Sequence, residues 1–147
     1  MLRNKKGFTL IEMLVVIAII AVLVSIVIPT VSASTTKAKA ATDAANLRAV
    51  MGQLNGVLAT ANEMSEEEAQ KLQSTDSKMF PGAKLLVVYR NPGFIDAYYM
   101  IDGVYYGMKY FSTVASQGLE SAEGISTAKP TGDGYEWYEA GVGAFDE

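Results

Sequence analysis

The chain has no cysteine and no histidine. Without cysteine there is neither a disulfide framework nor a thiolate metal site, so stability has to come from packing. Without histidine the usual acid–base group for neutral pH is missing, and most zinc chemistry with it. No nucleophile-elbow string, glycine-rich phosphate loop or metal-ligand cluster occurs. No catalytic residue, metal or cofactor is therefore expected, although composition alone leaves a carboxylate or serine mechanism open. Charge is absent from one long stretch, since Met13 to Ile28 runs for sixteen residues without a charged side chain. Positive charge is scarce after it: beyond residue 7, nine basic residues stand against sixteen acidic ones, a balance of −7. Generic nucleic-acid binding, which needs clustered Lys and Arg, is not expected from that balance.

What is present divides 147 residues into an anchor and a soluble part, with room for one modest domain besides the anchor. Arg3, Lys5 and Lys6 precede the apolar run with no acid among them. A basic start, a short apolar run and then small residues is the pattern of an ordinary secretory signal peptide, with Val31-Ser32-Ala33 as the candidate cleavage site. Two features point elsewhere. Glu12 stands at the mouth of the apolar run, where a carboxylate borders or enters the bilayer; such a residue is costly in hydrocarbon and is a functional candidate by default. A position at headgroup level is the plainer explanation for it. The second feature is the local string Gly7-Phe8-Thr9-Leu10-Ile11-Glu12.

Lys6-Gly7-Phe8-Thr9-Leu10-Ile11-Glu12, followed by an apolar helix with Pro29 inside it, resembles the class III signal of type IV pilins and the related pseudopilins. The resemblance is close over the N-terminal segment and continues in pattern only along the following helix. It implies that a membrane-embedded prepilin peptidase cuts after Gly7 and methylates the new amine of Phe8, leaving the apolar stretch on the mature chain. It also implies that Glu12 meets the Phe8 amine of a neighbouring subunit during assembly, a pairing that would offset the cost of a carboxylate in an apolar setting. The implied role is a structural subunit, not an enzyme: it rests in the cytoplasmic membrane before assembly and forms an extracellular fibre after it. Its implied partners are copies of itself, the prepilin peptidase, the pilus assembly platform and minor pilins. A pseudopilin of a secretion or competence apparatus is the alternative within the resemblance, and a secreted binding protein or hydrolase with an ordinary signal peptide is the alternative outside it.

Pro29 lacks an amide hydrogen and clashes with the preceding turn, which predicts a kink, or else the end of a membrane helix before a Ser-Thr linker. The organisation expected is a leader over 1–7, a hydrophobic transmembrane and polymerisation helix over 8–36, and a head over 37–147. Within the head, Ala40, Ala44, Leu47, Met51, Leu54 and Leu58 alternate by four and three residues and mark one apolar stripe on a helix over 37–62. Were Phe8 to Asn62 one helix, it would span roughly 80 Å. Gly52 and Gly56 lower its propensity but permit close packing. Ser65-Glu66-Glu67-Glu68 has capping-box spacing and predicts a short helix from Glu66 to about Ser74. Its acids suit the helix dipole better than a metal.

Lys84 to Arg90 reads as a strand ended by Asn91-Pro92-Gly93. Phe94 to Ile101 and Val104 to Phe111 flank Asp102-Gly103, a two-residue hairpin turn. That turn pairs Ile101 with Val104, Met100 with Tyr105, Tyr99 with Tyr106 and Tyr98 with Gly107. Continued, it pairs Ala97 with Met108, Asp96 with Lys109, Ile95 with Tyr110 and Phe94 with Phe111. The face carrying Ile101, Tyr99, Ala97 and Ile95 is apolar and should cover the helix. The fold class is thus α+β: a long N-terminal helix, first transmembrane and then amphipathic, packed against a small antiparallel sheet at about 84–111. In the C-terminal region 112–147, Tyr135-Glu136-Trp137-Tyr138 is a fourth strand or an exposed aromatic patch, with packing favoured. Gly132-Asp133-Gly134 reads as a turn, since Asp133, Glu136, Glu139 and Asp146 lack calcium-loop spacing.

Overall fold

The computed structural model describes residues 7–61, 63–90, 93–125, 129 and 132–145. The basic residues Arg3, Lys5 and Lys6, the predicted helix end at Asn62, the turn residues Asn91 and Pro92, and Asp146 lie outside them. The chain falls into two units, one ending at Thr35 and one beginning at Thr36.

The first unit is the N-terminal part of α1 (Leu10–Ala61), whose helical assignment continues through Pro29. Every large apolar side chain from Phe8 to Val31 is exposed, from 45% at Val24 to 83% at Phe8 and Leu10. The hydroxyls within its apolar run, on Ser25 and Thr30, turn inward on the backbone. Ser25 Oγ donates to the Val22 carbonyl at 2.7 Å, and Thr30 Oγ1 to the Ile26 and Val27 carbonyls at 2.9 and 3.0 Å. Such back-bonding satisfies the hydroxyls without water.

The second unit is α+β. The C-terminal part of α1 packs on one face of a five-stranded antiparallel sheet of order β3-β2-β1-β4-β5. The strands are β1 (Lys84–Arg90), β2 (Phe94–Ile101), β3 (Val104–Gly107), β4 (Tyr135–Glu139) and β5 (Gly143–Ala144). β1 is central, pairing with β2 and β4, and its five inner residues, Leu85 to Tyr89, are all buried. A continuous apolar run is what burial on both faces requires. Toward the helix, Leu85, Val87, Tyr89, Ala97, Tyr99 and Tyr138 meet Ala40, Ala44, Leu47, Val50 and Leu54. Met51 and Leu58, also on the predicted stripe, pack against this core partly buried. On the opposite face Trp137, the register partner of Val88, lies between Tyr98 and Tyr105 at ring distances of 5.7 and 5.4 Å.

α2 (Glu66–Lys71) starts as predicted, with Ser65 Oγ accepting from the Glu68 amide at 3.3 Å, but ends before Leu72, short of Ser74. The Asp102-Gly103 turn has φ of 51° and 75°, the left-handed pair that twists a hairpin correctly. Four of the eight predicted pairs form, from Ile101 with Val104 to Tyr98 with Gly107.

The other four do not, because the chain leaves the sheet after Gly107 and forms α3 (Met108–Gln117). Tyr98 lies so close over Gly107 that a Cβ there would sit 2.9 Å from its ring. Beyond it, Met108, Phe111, Val114 and Ala115 follow helical spacing, and Phe111 and Val114 are fully buried. Burying that face outweighs the strand propensity of Tyr110 and Phe111. Asp96 therefore does not face Lys109: it pairs with Val88, and its carboxylate accepts from the Tyr98 hydroxyl at 2.7 Å. Ile95, Ala97, Met108 and Tyr110 still reach the helix-facing core, the last two from α3, whereas Ile101 and Val104 next to the turn lie outside it. The sheet resumes with β4, so the Tyr135-to-Tyr138 cluster is a packed strand.

Candidate processing and assembly segment

The residues singled out by the N-terminal string lie together at the start of α1. Gly7, Phe8 and Thr9 precede the helix and are exposed, and Leu10 is its first residue. A side chain added at Gly7 would meet nothing within 4 Å, so the fold makes no steric demand for glycine there.

Glu12 is not a free carboxylate. Its Oε2 accepts from the Thr9 amide at 2.8 Å and from Thr9 Oγ1 at 2.7 Å, while the Glu12 amide donates to Thr9 Oγ1 at 3.3 Å. Thr9-Leu10-Ile11-Glu12 is therefore a reciprocal capping box, with Thr9 as N-cap and Glu12 three residues on. It satisfies donors at the helix start that would otherwise be orphaned at the mouth of the apolar run. The spacing was readable in the sequence by the rule that found Ser65 and Glu68. Because the Thr9 amide joins Phe8 to Thr9, it would survive a cut after Gly7, and the box with it.

Pro29 lies inside α1 and has no hydrogen to offer the Ser25 carbonyl. α1 is long and apolar enough near the N-terminus to cross a membrane. Among the described residues no group of three or more acids, His or Cys is arranged to hold a metal ion.

One head residue escaped the sequence reading. Asp43 is fully buried on α1, accepting from Ser77 Oγ at 2.7 Å and from the Lys78 and Met79 amides at 2.7 and 2.9 Å. Its place between Ala40 and Leu47 on the stripe was the available signal. It ties the segment after α2 to the helix.

Residues 2–28 match the family model described as the prokaryotic N-terminal methylation motif. The chain thus carries the class III signal of a type IV pilin-like prepilin, the N-terminus of a pilin-like or pseudopilin substrate of prepilin peptidase. Comparison with curated proteins gives no match. Comparison with solved structures gives none either.

Proposed function

We propose that this chain is a structural, non-enzymatic subunit of a type IV pilus. The observation that carries the reading is an apolar helix segment, exposed on all sides, that lies almost wholly within the methylation-motif match. Such a surface needs a solvent other than water. Lipid supplies one, and the same segment of neighbouring subunits supplies another: helix packing replaces lipid contacts during assembly, and burial of residues 8–36 away from water then holds the fibre together outside the membrane.

In this reading prepilin peptidase removes residues 1–7, cutting between Gly7 and Phe8, and methylates the Phe8 amine. The open space around Gly7 supports a glycine kept for the peptidase, not for the fold. The new amine lies next to the Thr9–Glu12 box, and the Glu12 carboxylate has oxygen lone pairs left for the Phe8 amine of a neighbouring copy. Pro29 weakens the helix locally and lets it bend as subunits pack. The head over 37–147 faces outward from the fibre. The assembly platform, minor pilins and the cytoplasmic membrane act before the fibre emerges on the cell surface.

The test is assembly by Glu12→Ala in cells lacking the wild-type chain. The processed variant should accumulate in the membrane with surface fibres lost. Fibres at wild-type abundance would overturn the role of Glu12. Long surface filaments built mainly of the wild-type chain would separate a pilin from a pseudopilin, which stays in the envelope.

A further inference from the structure

Arg48 and Ser112 mark a groove between α1 and α3. The groove holds about 290 Å³ and is lined by Ala41, Ala44, Arg48, Ser112, Ala115 and Ser116. Arg48 is exposed, and among the described residues neither its guanidinium nor the Ser112 hydroxyl has a hydrogen-bond or ion-pair partner. The Ser116 hydroxyl is already spent on the Ser112 and Thr113 carbonyls, at 2.8 and 3.3 Å. The groove thus offers a fixed fork of cationic donors and one free hydroxyl above a floor of alanines. That chemistry fits a carboxylate side chain with a short apolar stem.

The surroundings point to what carries the carboxylate. Beyond residue 7 the chain has a balance of −7, so it is rich in the group this groove accepts and poor in the group it offers. The exposed face of α1 beside Arg48 presents Ala45, Ala49, Gly52 and Gly56, and side chains added at either glycine would meet nothing within 4 Å. The head itself thus makes no use of these glycines, although each costs helix stability relative to alanine. They leave room for another backbone to come close.

We infer that the α1–α3 groove is a contact between copies, in which Arg48 and Ser112 receive an Asp or Glu side chain of a neighbouring subunit. This rests on the polymer reading, which supplies copies at high local concentration. Electrostatic complementarity of this kind sets the register and partner of an interface more than its strength.

The exposure of Arg48 leaves a lysine placed there open to reagent. Fibres are grown from a mixture of unlabelled and nitrogen-15-labelled Arg48→Lys chains and treated with a carbodiimide, which joins amines to adjacent carboxylates. The expected product links position 48 of one isotope to an acid-bearing peptide of the other. Arg48→Glu, which sets acid against acid, should reduce surface fibre about tenfold, while the head's melting temperature stays that of the wild type and Arg48→Lys assembles. Wild-type assembly by Arg48→Glu would overturn the inference and leave the polymer reading intact. So would links from position 48 only within one chain or to a different molecule. Failure of the wild-type chain itself to form fibres would overturn both.

Discussion

The two parts of α1 share one backbone and follow opposite rules. From Phe8 to Val31 every large apolar side chain is exposed, whereas in the second part Ala40, Ala44, Leu47, Val50 and Leu54 are almost completely buried by the rest of the head. Each large aliphatic group left in water forgoes about 1.5–3 kcal/mol. The head therefore completes its own core, and the N-terminal segment must borrow one. The head's polar groups follow suit: Asp43 takes three hydrogen bonds from the chain that covers it, and no buried side-chain polar atom among the described residues lacks a partner. The N-terminal segment satisfies its own polar groups within the helix, through the Thr9–Glu12 box and the Ser25 and Thr30 back-bonds.

Substitutions in the two parts should consequently separate stability from assembly. Phe111→Ala opens a cavity under α3 and should cost the head about 3–5 kcal/mol, read as denaturant unfolding of the detergent-solubilised full chain by near-ultraviolet circular dichroism. Leu23→Ala, in the exposed segment, should leave that transition unmoved and lower fibre stability instead. A Leu23→Ala chain whose head melts early would break the contrast.

Asp43→Ala comes next, at about 3 kcal/mol, because it strands the Ser77 hydroxyl and the Lys78 and Met79 amides. Proteolysis at residues 72–80 should become faster before the rest of the head is cut. Cleavage rates there equal to wild type would show that the carboxylate does not pin this segment.

The head alone should be sensitive to alkali. Burial first, and then the acceptor Glu136, pushes the Tyr138 hydroxyl up to about 12. Burial likewise raises Tyr98, beside Asp96, and also Tyr99 and Tyr110. The folded head thus holds these protons where the unfolded chain releases them. Their stabilising contribution is complete below the unfolded value near 10 and is lost as pH rises beyond it, for Tyr138 between about 10 and about 12. Near-ultraviolet signal should collapse in that window while far-ultraviolet helicity from the N-terminal segment persists in detergent. A pH-independent head transition up to 12 would contradict the burial of these hydroxyls.

The smallest effect has the opposite sign. Gly52→Ala should stabilise the head by about 0.5–1 kcal/mol, since the added methyl meets nothing and helix propensity improves. A loss of fibre in the same variant would place Gly52 in a contact between copies.

What the sequence made legible follows from how local each determinant is. The N-terminal string, the apolar run, the alternation of the α1 stripe and the Asp102-Gly103 turn are set within a few residues. The structure has the hairpin register through Tyr98 and Gly107 as the turn dictates. Past Gly107 the alternating apolar residues suit strand and helix alike. Only the space left beside α1 and Phe80, whose ring lies 6.0 Å from that of Phe111, decides for α3. Asp43 is illegible for a similar reason: a charge on an apolar stripe makes sense only where the segment carrying Ser77 returns to it. The Thr9–Glu12 box is fully local, but the charge of Glu12 at the mouth of an apolar run masks the capping-box spacing from Thr9.

A pilus subunit of this kind keeps the apolar N-terminal segment on the mature chain and exchanges lipid for copies of itself. Intact-mass and fragmentation spectra of the subunit taken from surface fibres test it most directly. The expected chain begins at an N-methylated Phe8, with Glu12 and the whole apolar run retained. A soluble, monomeric chain beginning at Ser34 would contradict it.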